Sequence, residues 1–163
     1  MRLLCKILLV YMRENPEDTS LIFDLARALR IRSTIDFNFL RMFFKYEVYK
    51  LYSIAAKRSI FLQFVEMMKG GTEHIETKVV CSFYIIHPLL MKSNELGQTK
   101  EIFITGPDEP DPIKSFIDLM KHSLQMRQLH SRQGGNTDRS SNNYRVAIEV
   151  LQLSSFVISP LKN

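Results

Sequence analysis

Four histidines and two cysteines are the residues in this 163-residue chain best suited to hold a metal ion. Zinc needs about four converging ligands, which commonly come from Cys or His pairs two to four positions apart. No two of these residues have that spacing, so we predict no metal site. They are Cys5, His74, Cys81, His87, His122 and His130. We expect His87 to be a half-buried structural residue and His122 to face solvent.

Asp108, Glu109 and Asp111 form the one acidic cluster. Paired carboxylates can bind a metal or carry out acid–base chemistry. Calcium loops, however, need alternating oxygen ligands around a central glycine, and the two prolines of this segment do not fit that geometry. We interpret the cluster as a solvated loop leading into a helix cap.

Catalytic signatures are missing from the sequence: it has no nucleophile elbow, no phosphate-binding loop and no zinc-protease helix. The pairs Gly70-Gly71 and Gly134-Gly135 lack the flanking strand or the lysine of a phosphate loop, and are predicted to be structural. We therefore predict no catalytic residue, no cofactor and no small-molecule ligand. A small helical enzyme is the third and least favoured hypothesis, because no nucleophile, base and orienting group can be identified together.

The net charge of +5 and the isoelectric point near 9.3 are compatible with acidic partners or nucleic acid. The basic residues are scattered, and we interpret most of them as solvated helix faces. A free-standing helical nucleic-acid-binding module remains the alternative hypothesis. It would use Arg27, Arg30, Arg32, Arg41 and Lys45.

Aromatic residues lie among these basic ones in the segment 37–52, as in platforms that stack single-stranded nucleic acid. They are Phe37, Phe39, Phe43, Phe44, Tyr46, Tyr49 and Tyr52. On a helix Phe39, Phe43 and Phe44 point one way, whereas the basic side chains point elsewhere. We therefore predict core packing for these rings and do not expect direct nucleic-acid binding.

Cys5 and Cys81 lie far apart among apolar neighbours, which favours buried reduced thiols. The N-terminal apolar run is interrupted by Lys6 and lacks a cleavage site, so it does not fit a signal peptide. No apolar run is long enough to span a bilayer. We expect a soluble intracellular chain with no membrane partner.

Seven amphipathic helices are predicted from apolar residues that recur at spacings of one, three and four. Their stripes lie at 3–11, 21–29, 39–51, 60–68, 79–91, 113–124 and 147–157. A polar break is predicted at 93–111, with a short strand-like run at 102–104. The segment 129–143 is rich in Ser, Arg, Gln, Gly and Asn, and we predict a flexible loop there.

Start and stop signals accompany these stripes. Caps are predicted at 18–20, 34–36, Ser53 and Asp111, the last followed by proline. Gly70-Gly71 is predicted to end a helix with a left-handed residue, and Ser159-Pro160 to end the last helix. Pro88 predicts a kink or two half-helices.

Helix pairs of this length with short connections are typical of helical solenoids, in which a HEAT unit takes about 40–47 residues. We predict an all-α fold of antiparallel helix pairs stacked as a HEAT-like α-solenoid, with residues 1–163 as one helical-repeat segment. Periodicity alone does not separate a solenoid from a compact bundle.

Three stretches carry a resemblance to a known family. They are 29–40, with Arg32-Ser33 and Asp36-Phe37-Asn38-Phe39-Leu40; 52–68, with Ala56-Lys57-Arg58 and Phe64-Val65-Glu66; and 145–154, with Glu149-Val150-Leu151-Gln152-Leu153. In this order they resemble the HEAT region of the TRRAP (transformation/transcription domain-associated protein) family, and the resemblance covers most of residues 21–156.

The resemblance implies a non-catalytic nuclear scaffold in SAGA-type histone acetyltransferase complexes, related to phosphatidylinositol-3-kinase-like kinases but lacking their catalytic residues. Its partners would be other protein subunits, transcription activators and neighbouring helical repeats of a larger chain. The kinase-like portion has no counterpart here, so no nucleotide site is carried over. The polar segment 129–143 looks like an insertion, and we expect a fragment of a larger protein.

Overall fold

The computed structural model describes residues 2–30, 36–132 and 138–162, and within these ranges it contains helices and no strand. The elements are α1 (Arg2–Glu14), α2 (Ser20–Leu29), α3 (Phe37–Met42), a π-helical segment π1 (Phe43–Val48), α4 (Tyr49–Leu51), α5 (Ile54–Lys69), α6 (Ile75–Val80), a second π-helical segment π2 (Cys81–Ile86), α7 (His87–Glu95), α8 (Thr99–Phe103), α9 (Pro112–Arg132) and α10 (Asp138–Leu161). The all-α prediction is confirmed.

Side-chain caps begin several helices where the sequence predicts them. Asp36 accepts a hydrogen bond from the Phe39 amide at 3.0 Å, and Ser53 accepts one from the Ala56 amide at 3.0 Å. The Asp111 carboxylate accepts hydrogen bonds from the amides of Ile113 and Lys114, at 2.9 and 3.2 Å. These bonds satisfy amides that have no partner within the helix, and so fix where each helix starts.

Three local predictions are wrong. Residues 102–104 form no strand, because Ile102 and Phe103 end α8. Gly70 ends α5 with φ −65° rather than a left-handed conformation. Among the described glycines Gly97, between α7 and α8, has the positive φ of 67°. The last helix continues through Pro160 to its end at Leu161.

The loop predicted at about 129–143 is wrong at both ends. Helix α9 extends to Arg132, and α10 already begins at Asp138. The centre of that segment, 133–137, lies outside the described residues. Polar composition was the reason for predicting a loop, but polar residues can continue a helix whose other turns are held by packing, because the backbone bonds are independent of side-chain polarity.

Two helices change hydrogen-bond register in their middle. The Tyr49 amide donates to the Phe44 carbonyl and the His87 amide to the Ser82 carbonyl, five residues back in each case. The second π segment directly precedes the first turn of α7, which contains Pro88. The missing amide of Pro88 is tolerated there, and the chain stays helical from Ile75 to Glu95. Of the two alternatives expected at Pro88, a kink or two half-helices, separate half-helices do not form.

The centre of the fold is a cluster of aromatic rings from α5, α8 and α9, referred to below as the Phe61 cluster. The Phe61 ring lies edge-on to Phe103, with centroids 4.7 Å apart, and 5.5 Å from Phe116. Phe64 lies 6.3 Å away on the next turn of α5. All four side chains are buried, and burying rings of this size is the main favourable contribution to folding.

Helix α10 packs along α9 and also contacts α6, α7 and α8. The Phe156 carbonyl of α10 accepts a hydrogen bond from Asn94 Nδ2 of α7 at 3.2 Å. Asn94 in turn accepts a hydrogen bond from Thr99. The end of α7, the start of α8 and α10 are therefore joined by part-buried hydrogen bonds around the turn at Gly97.

Helix α1 buries a different side from the one that the sequence predicted. The apolar stripe of Leu3, Leu4, Ile7, Leu8 and Tyr11 was expected to pack on neighbouring helices, but only Leu8 of these is buried. Cys5 and Met12, which the prediction did not include, are buried with it. The helix is apolar on both sides, so periodicity alone did not identify the inner one.

Candidate interaction surface

The basic residues proposed for a nucleic-acid surface bond within the chain. Arg27 reaches Glu73 through Nε at 2.9 Å and Asp24 through Nη1 at 2.8 Å. These contacts raise the pKa of Arg27, with the Glu73 hydrogen bond as the largest cause. The guanidinium thus links α2 to the segment before α6, and its charge is matched by two carboxylates.

Arg41 and Lys45 lie between helices rather than on a solvated face, which corrects the interpretation from sequence. The Arg41 guanidinium lies 4.6 Å from the centre of the Phe83 ring, and its Nη2 lies 3.3 Å from His87 Nδ1. Lys45 forms an ion pair with Glu95, which raises the pKa of the lysine. Both side chains tie α3 and π1 to α7 and π2.

Arg30 is half-buried at the C-terminal cap of α2, where its amide donates to Ala26. Arg32 lies outside the described residues. Three of the five residues named for the nucleic-acid hypothesis therefore have carboxylate or aromatic partners. Phosphate binding would have to compete with those contacts, which counts against this hypothesis.

The aromatic residues of 37–52 pack as predicted at most positions. Phe43, Phe44, Tyr49 and Tyr52 are buried. The Tyr52 hydroxyl donates to the Asp18 carbonyl at 3.2 Å, and burial raises its pKa to about 12. These rings are unavailable for stacking on bases.

The remaining three rings are half-buried and also have partners within the chain. Phe37 stacks on Tyr84 with ring centroids 4.1 Å apart, and Phe39 lies 6.4 Å from Phe43. The Lys45 and Lys92 ammonium groups lie 5.2 and 5.1 Å from the centre of the Tyr46 ring. The prediction of core packing over stacking on nucleic acid agrees with this arrangement.

His87 is half-buried, as predicted, and lines a small cavity. This cavity of about 240 Å³ is lined by Ser82, Phe83, Glu149 and Gln152, among others. Arg41 donates to Nδ1, so the neutral ring carries its proton on Nε2, which is buried without a protein acceptor. Burial, followed by the charge of Arg41, lowers the pKa of His87, and burial raises that of Glu149.

The other histidines do not join this group. His74 is exposed before the first residue of α6, and His122 faces solvent on α9 as predicted. His130 lies in α9, but its side chain is outside the described part. Across residues 2–30, 36–132 and 138–162, no three His, Cys, Asp or Glu side chains come together as they would around a metal ion.

The acidic segment is held by an arginine that sequence reasoning treated as surface charge. Arg58 donates to the carbonyls of Ile102 at 2.9 Å and Glu101 at 2.7 Å, and pairs with Glu109 at 3.1 Å. Asp108 is exposed, and Asp111 caps α9. The cluster is therefore a loop and a helix cap, as predicted, fastened to the C-terminal end of α8.

Lys78 is a second cation that the sequence did not single out. Its buried ammonium donates to the Met68 carbonyl at 3.2 Å and the Gly70 carbonyl at 2.6 Å. Burial lowers its pKa, and the negative end of the α5 dipole favours the charged form. Cys5 and Cys81 are buried free thiols, and burial raises the pKa of both.

A groove lies between α2, α5 and the start of α9. Its volume is about 600 Å³, and its lining combines apolar with polar side chains. The apolar ones are Phe23, Leu62, Met67 and Pro110, and the polar ones include Arg27, Gln63 and Glu66. Clefts of roughly 300–1,000 Å³ with this mixture are common binding sites. No sequence signal indicated this groove, because it arises from three elements distant in the chain.

None of the helices within the described ranges is long and apolar enough to cross a membrane. Together with the internally paired basic residues, the picture is of helices whose side chains contact one another, with a groove and one face of α1 left accessible.

Comparison with known proteins supplies the context for this surface. The chain is 33% identical over 111 residues to the mouse Transformation/transcription domain-associated protein, covering 68% of this chain and 4% of that protein. It is 31% identical over 122 residues to Transcription-associated protein 1 of Drosophila melanogaster, covering 71% and 3%. The Probable transcription-associated protein 1 of Dictyostelium discoideum is 26% identical over 162 residues, covering 99% and 3%.

The chain thus spans 3–4% of the length of these relatives. No solved structure matches it. The model of the Tra1 HEAT repeat ring region matches residues 1–163, which agrees with the predicted HEAT-like solenoid and with the resemblance to the TRRAP family. On this match the chain belongs to the Tra1 HEAT repeat ring family.

Proposed function

We propose that the chain is a non-catalytic scaffold segment that binds other protein subunits of a histone acetyltransferase complex of the SAGA type in the nucleus. The observation that carries the proposal is the match of the whole chain to the Tra1 HEAT repeat ring, together with relatives named as transcription-associated proteins. The mechanism is presentation of a shaped surface, without a chemical step.

The packing of the described residues supports a scaffold role. Large side chains that could line a substrate pocket, such as Phe61, Phe103 and Phe116, contact one another. The cations that could bind an anionic substrate, such as Arg27 and Arg58, are held by carboxylates and carbonyls. The groove between α2, α5 and α9 offers an accessible mixed surface, as subunit interfaces require.

The proposal extends to the single-segment organisation of residues 1–163. The Phe61 cluster joins α5, α8 and α9, and the Asn94 hydrogen bond joins α7 to α10. Unfolding by urea should therefore follow one transition when monitored by circular dichroism and by tyrosine fluorescence. Separate transitions would divide the segment into independent units.

The test is purification of the tagged 163-residue chain from nuclei of its own organism, followed by mass spectrometry. Acetyltransferase-complex subunits should be enriched over a tag-only control. Met67→Glu, which places a charge in the groove, should reduce this enrichment by about tenfold, the equivalent of roughly 1.4 kcal/mol of binding. Leu124→Glu on the exposed side of α9 is the matched control and should leave the enrichment unchanged.

Enrichment of subunits from an unrelated machinery, or exclusion of the chain from nuclei, would contradict the proposal. Fluorescence anisotropy with labelled single- and double-stranded DNA separates it from the nucleic-acid hypothesis. We expect no saturable binding at micromolar protein and physiological salt. Tight binding that weakens steeply with salt would favour the alternative.

A further inference from the structure

Helix α10 contains a proline in its last turn and nevertheless continues to Leu161. In an α-helix each amide donates to the carbonyl four residues earlier, and proline has no amide to donate. Pro160 therefore leaves the Phe156 carbonyl without a donor from its own helix. A proline ring also crowds the carbonyl four residues back, which turns such a carbonyl away from the ring.

The Phe156 carbonyl receives its hydrogen bond from a different helix. Asn94, in the last turn of α7, donates to it from Nδ2 at 3.2 Å, and the contact is partly buried. A carbonyl removed from water is costly when it has no donor. The donor that the proline takes from α10 is thus replaced by a side chain of α7.

Asn94 is oriented for this contact by a second hydrogen bond. Its Oδ1 accepts from the hydroxyl of Thr99 in the first turn of α8, which leaves the Nδ2 donors to face α10. The side chain of Phe156 contacts the same helix, because its ring lies edge-on to His87 with centroids 4.5 Å apart. Both the backbone and the ring of Phe156 therefore attach α10 to α7.

We propose that Pro160 is a positioning residue, which fixes the register of α10 along α7 by reserving the Phe156 carbonyl for Asn94. The carbonyls on either side of it have the amides of Ser159 and Leu161 four residues further on. A shift of α10 by one residue would therefore present Asn94 with a carbonyl that its own helix can already satisfy. This inference concerns the packing of α10 and does not depend on the proposed scaffold role.

NMR of the Asn94 side-chain amide in the 163-residue chain tests the proposal directly. Its Nδ2 protons should exchange with water about tenfold more slowly than those of Asn38, which is exposed on α3. Pro160→Ala restores an amide that can donate to the Phe156 carbonyl, so most of this protection should be lost. Ser159→Ala changes the neighbouring exposed residue without adding an amide, and as the matched control it should leave the protection unchanged.

The melting temperature provides an independent measurement of the same coupling. Asn94→Asp keeps an acceptor for Thr99 but offers no donor to the carbonyl, so it should lower the Tm by about 3–6 °C. In a Pro160→Ala background the loss should be less than about half as large, because the helix then supplies the donor itself. In a Ser159→Ala background the loss should equal that in the parent chain.

Three results would each overturn the proposal. Rapid exchange of the Asn94 protons in the parent chain would mean that the contact does not form. Undiminished protection in Pro160→Ala, or an equal loss of Tm from Asn94→Asp with and without the proline, would mean that Asn94 binds the carbonyl whether or not α10 offers an amide. Circular dichroism of Pro160→Ala should show full helix content, because alanine favours the helix.

Discussion

The Phe61 cluster and helix α1 are built from the same kinds of residues, yet they end in opposite environments. Each shows large apolar side chains at spacings of three and four, which is why each is predicted as an amphipathic helix. In the cluster these side chains close on one another between α5, α8 and α9. On α1 the longer apolar stripe faces solvent, while the shorter set of Cys5, Leu8 and Met12 is buried.

This difference shows how much of a helix's orientation can be predicted from the spacing of its apolar residues. The spacing identifies a helix and the residues that share a face, but a helix apolar on two sides needs information from the rest of the fold to choose between them. Of the four predictions below, the first two test whether the two regions differ in energy as they differ in exposure, and the other two concern polar contacts elsewhere in the fold.

The largest effect is expected in the Phe61 cluster. Phe61→Ala removes the ring that contacts Phe64, Phe103 and Phe116, and should lower the free energy of unfolding by about 3–5 kcal/mol, because transfer and cavity terms add. Urea unfolding followed by circular dichroism measures it. Leu96→Ala, at an exposed leucine, is the control and should cost less than about 0.5 kcal/mol. Equal losses of unfolding free energy in the two variants would contradict the assignment of Phe61 to the core and Leu96 to the surface.

Neighbouring residues on α1 allow the sharpest test of its orientation. Leu8→Ala should lower the free energy of unfolding by about 2 kcal/mol, because Leu8 is buried. Ile7→Ala should change it by less than about 0.5 kcal/mol, because Ile7 is largely exposed and alanine favours the helix. Both are measured by urea denaturation followed by circular dichroism. The reverse order would mean that α1 is rotated.

Arg58→Met tests whether polar contacts hold the irregular segment after α8. The substitution leaves the carbonyls of Ile102 and Glu101 without their donor and should cost about 1–2 kcal/mol. Glu109→Gln removes only the exposed carboxylate partner and should cost less than about 1 kcal/mol. Chemical denaturation compares the two. If Arg58→Met left the free energy of unfolding unchanged, the segment would be held by apolar contacts alone.

The smallest effect concerns pH and the cavity at His87. Burial and Arg41 lower the pKa of His87 below its usual 6.5, so below that value the unfolded chain takes up a proton that the folded chain refuses. Stability should therefore fall as the pH drops from 6.5 towards the lowered pKa, and this contribution should be constant above 6.5.

The matched variant for this pH effect is His87→Gln, which keeps an acceptor for Arg41 and does not titrate. The difference in unfolding free energy between parent and variant, measured by urea denaturation at pH 7.5 and 5.5, isolates His87 from Glu149 and other carboxylates. The parent should lose more stability than the variant at the lower pH. A greater loss in the variant would contradict the lowered pKa.

Local rules account for much of the fold, and the resemblance accounts for the family. The caps at Asp36, Ser53 and Asp111 were predictable because a cap needs only a short side chain and amides two or three residues away. The half-burial of His87 followed from its apolar neighbours. The match to the Tra1 HEAT repeat ring confirms what the ordered stretches from Leu29 to Ser154 indicated.

The features that were missed depend on distant parts of the chain. Arg58 and Lys78 look like surface cations until the fold brings carbonyls from other turns to them. The groove between α2, α5 and α9 has no signature in any one of its helices. The π segments are changes of hydrogen-bond register, which residue types specify only weakly, and only Pro88 marked one of them.

Hydroxyl-radical footprinting of the 163-residue chain tests most directly the claim that the Phe61 cluster is buried and that Leu3, Ile7 and Tyr11 of α1 are exposed. The method reads side-chain exposure residue by residue. We expect rapid oxidation of Leu3 and Tyr11, and strong protection of Phe61, Phe103 and Phe116 relative to the unfolded chain in urea. Oxidation of the three phenylalanines at the rate of Tyr11, or protection of Leu3 equal to theirs, would contradict the account.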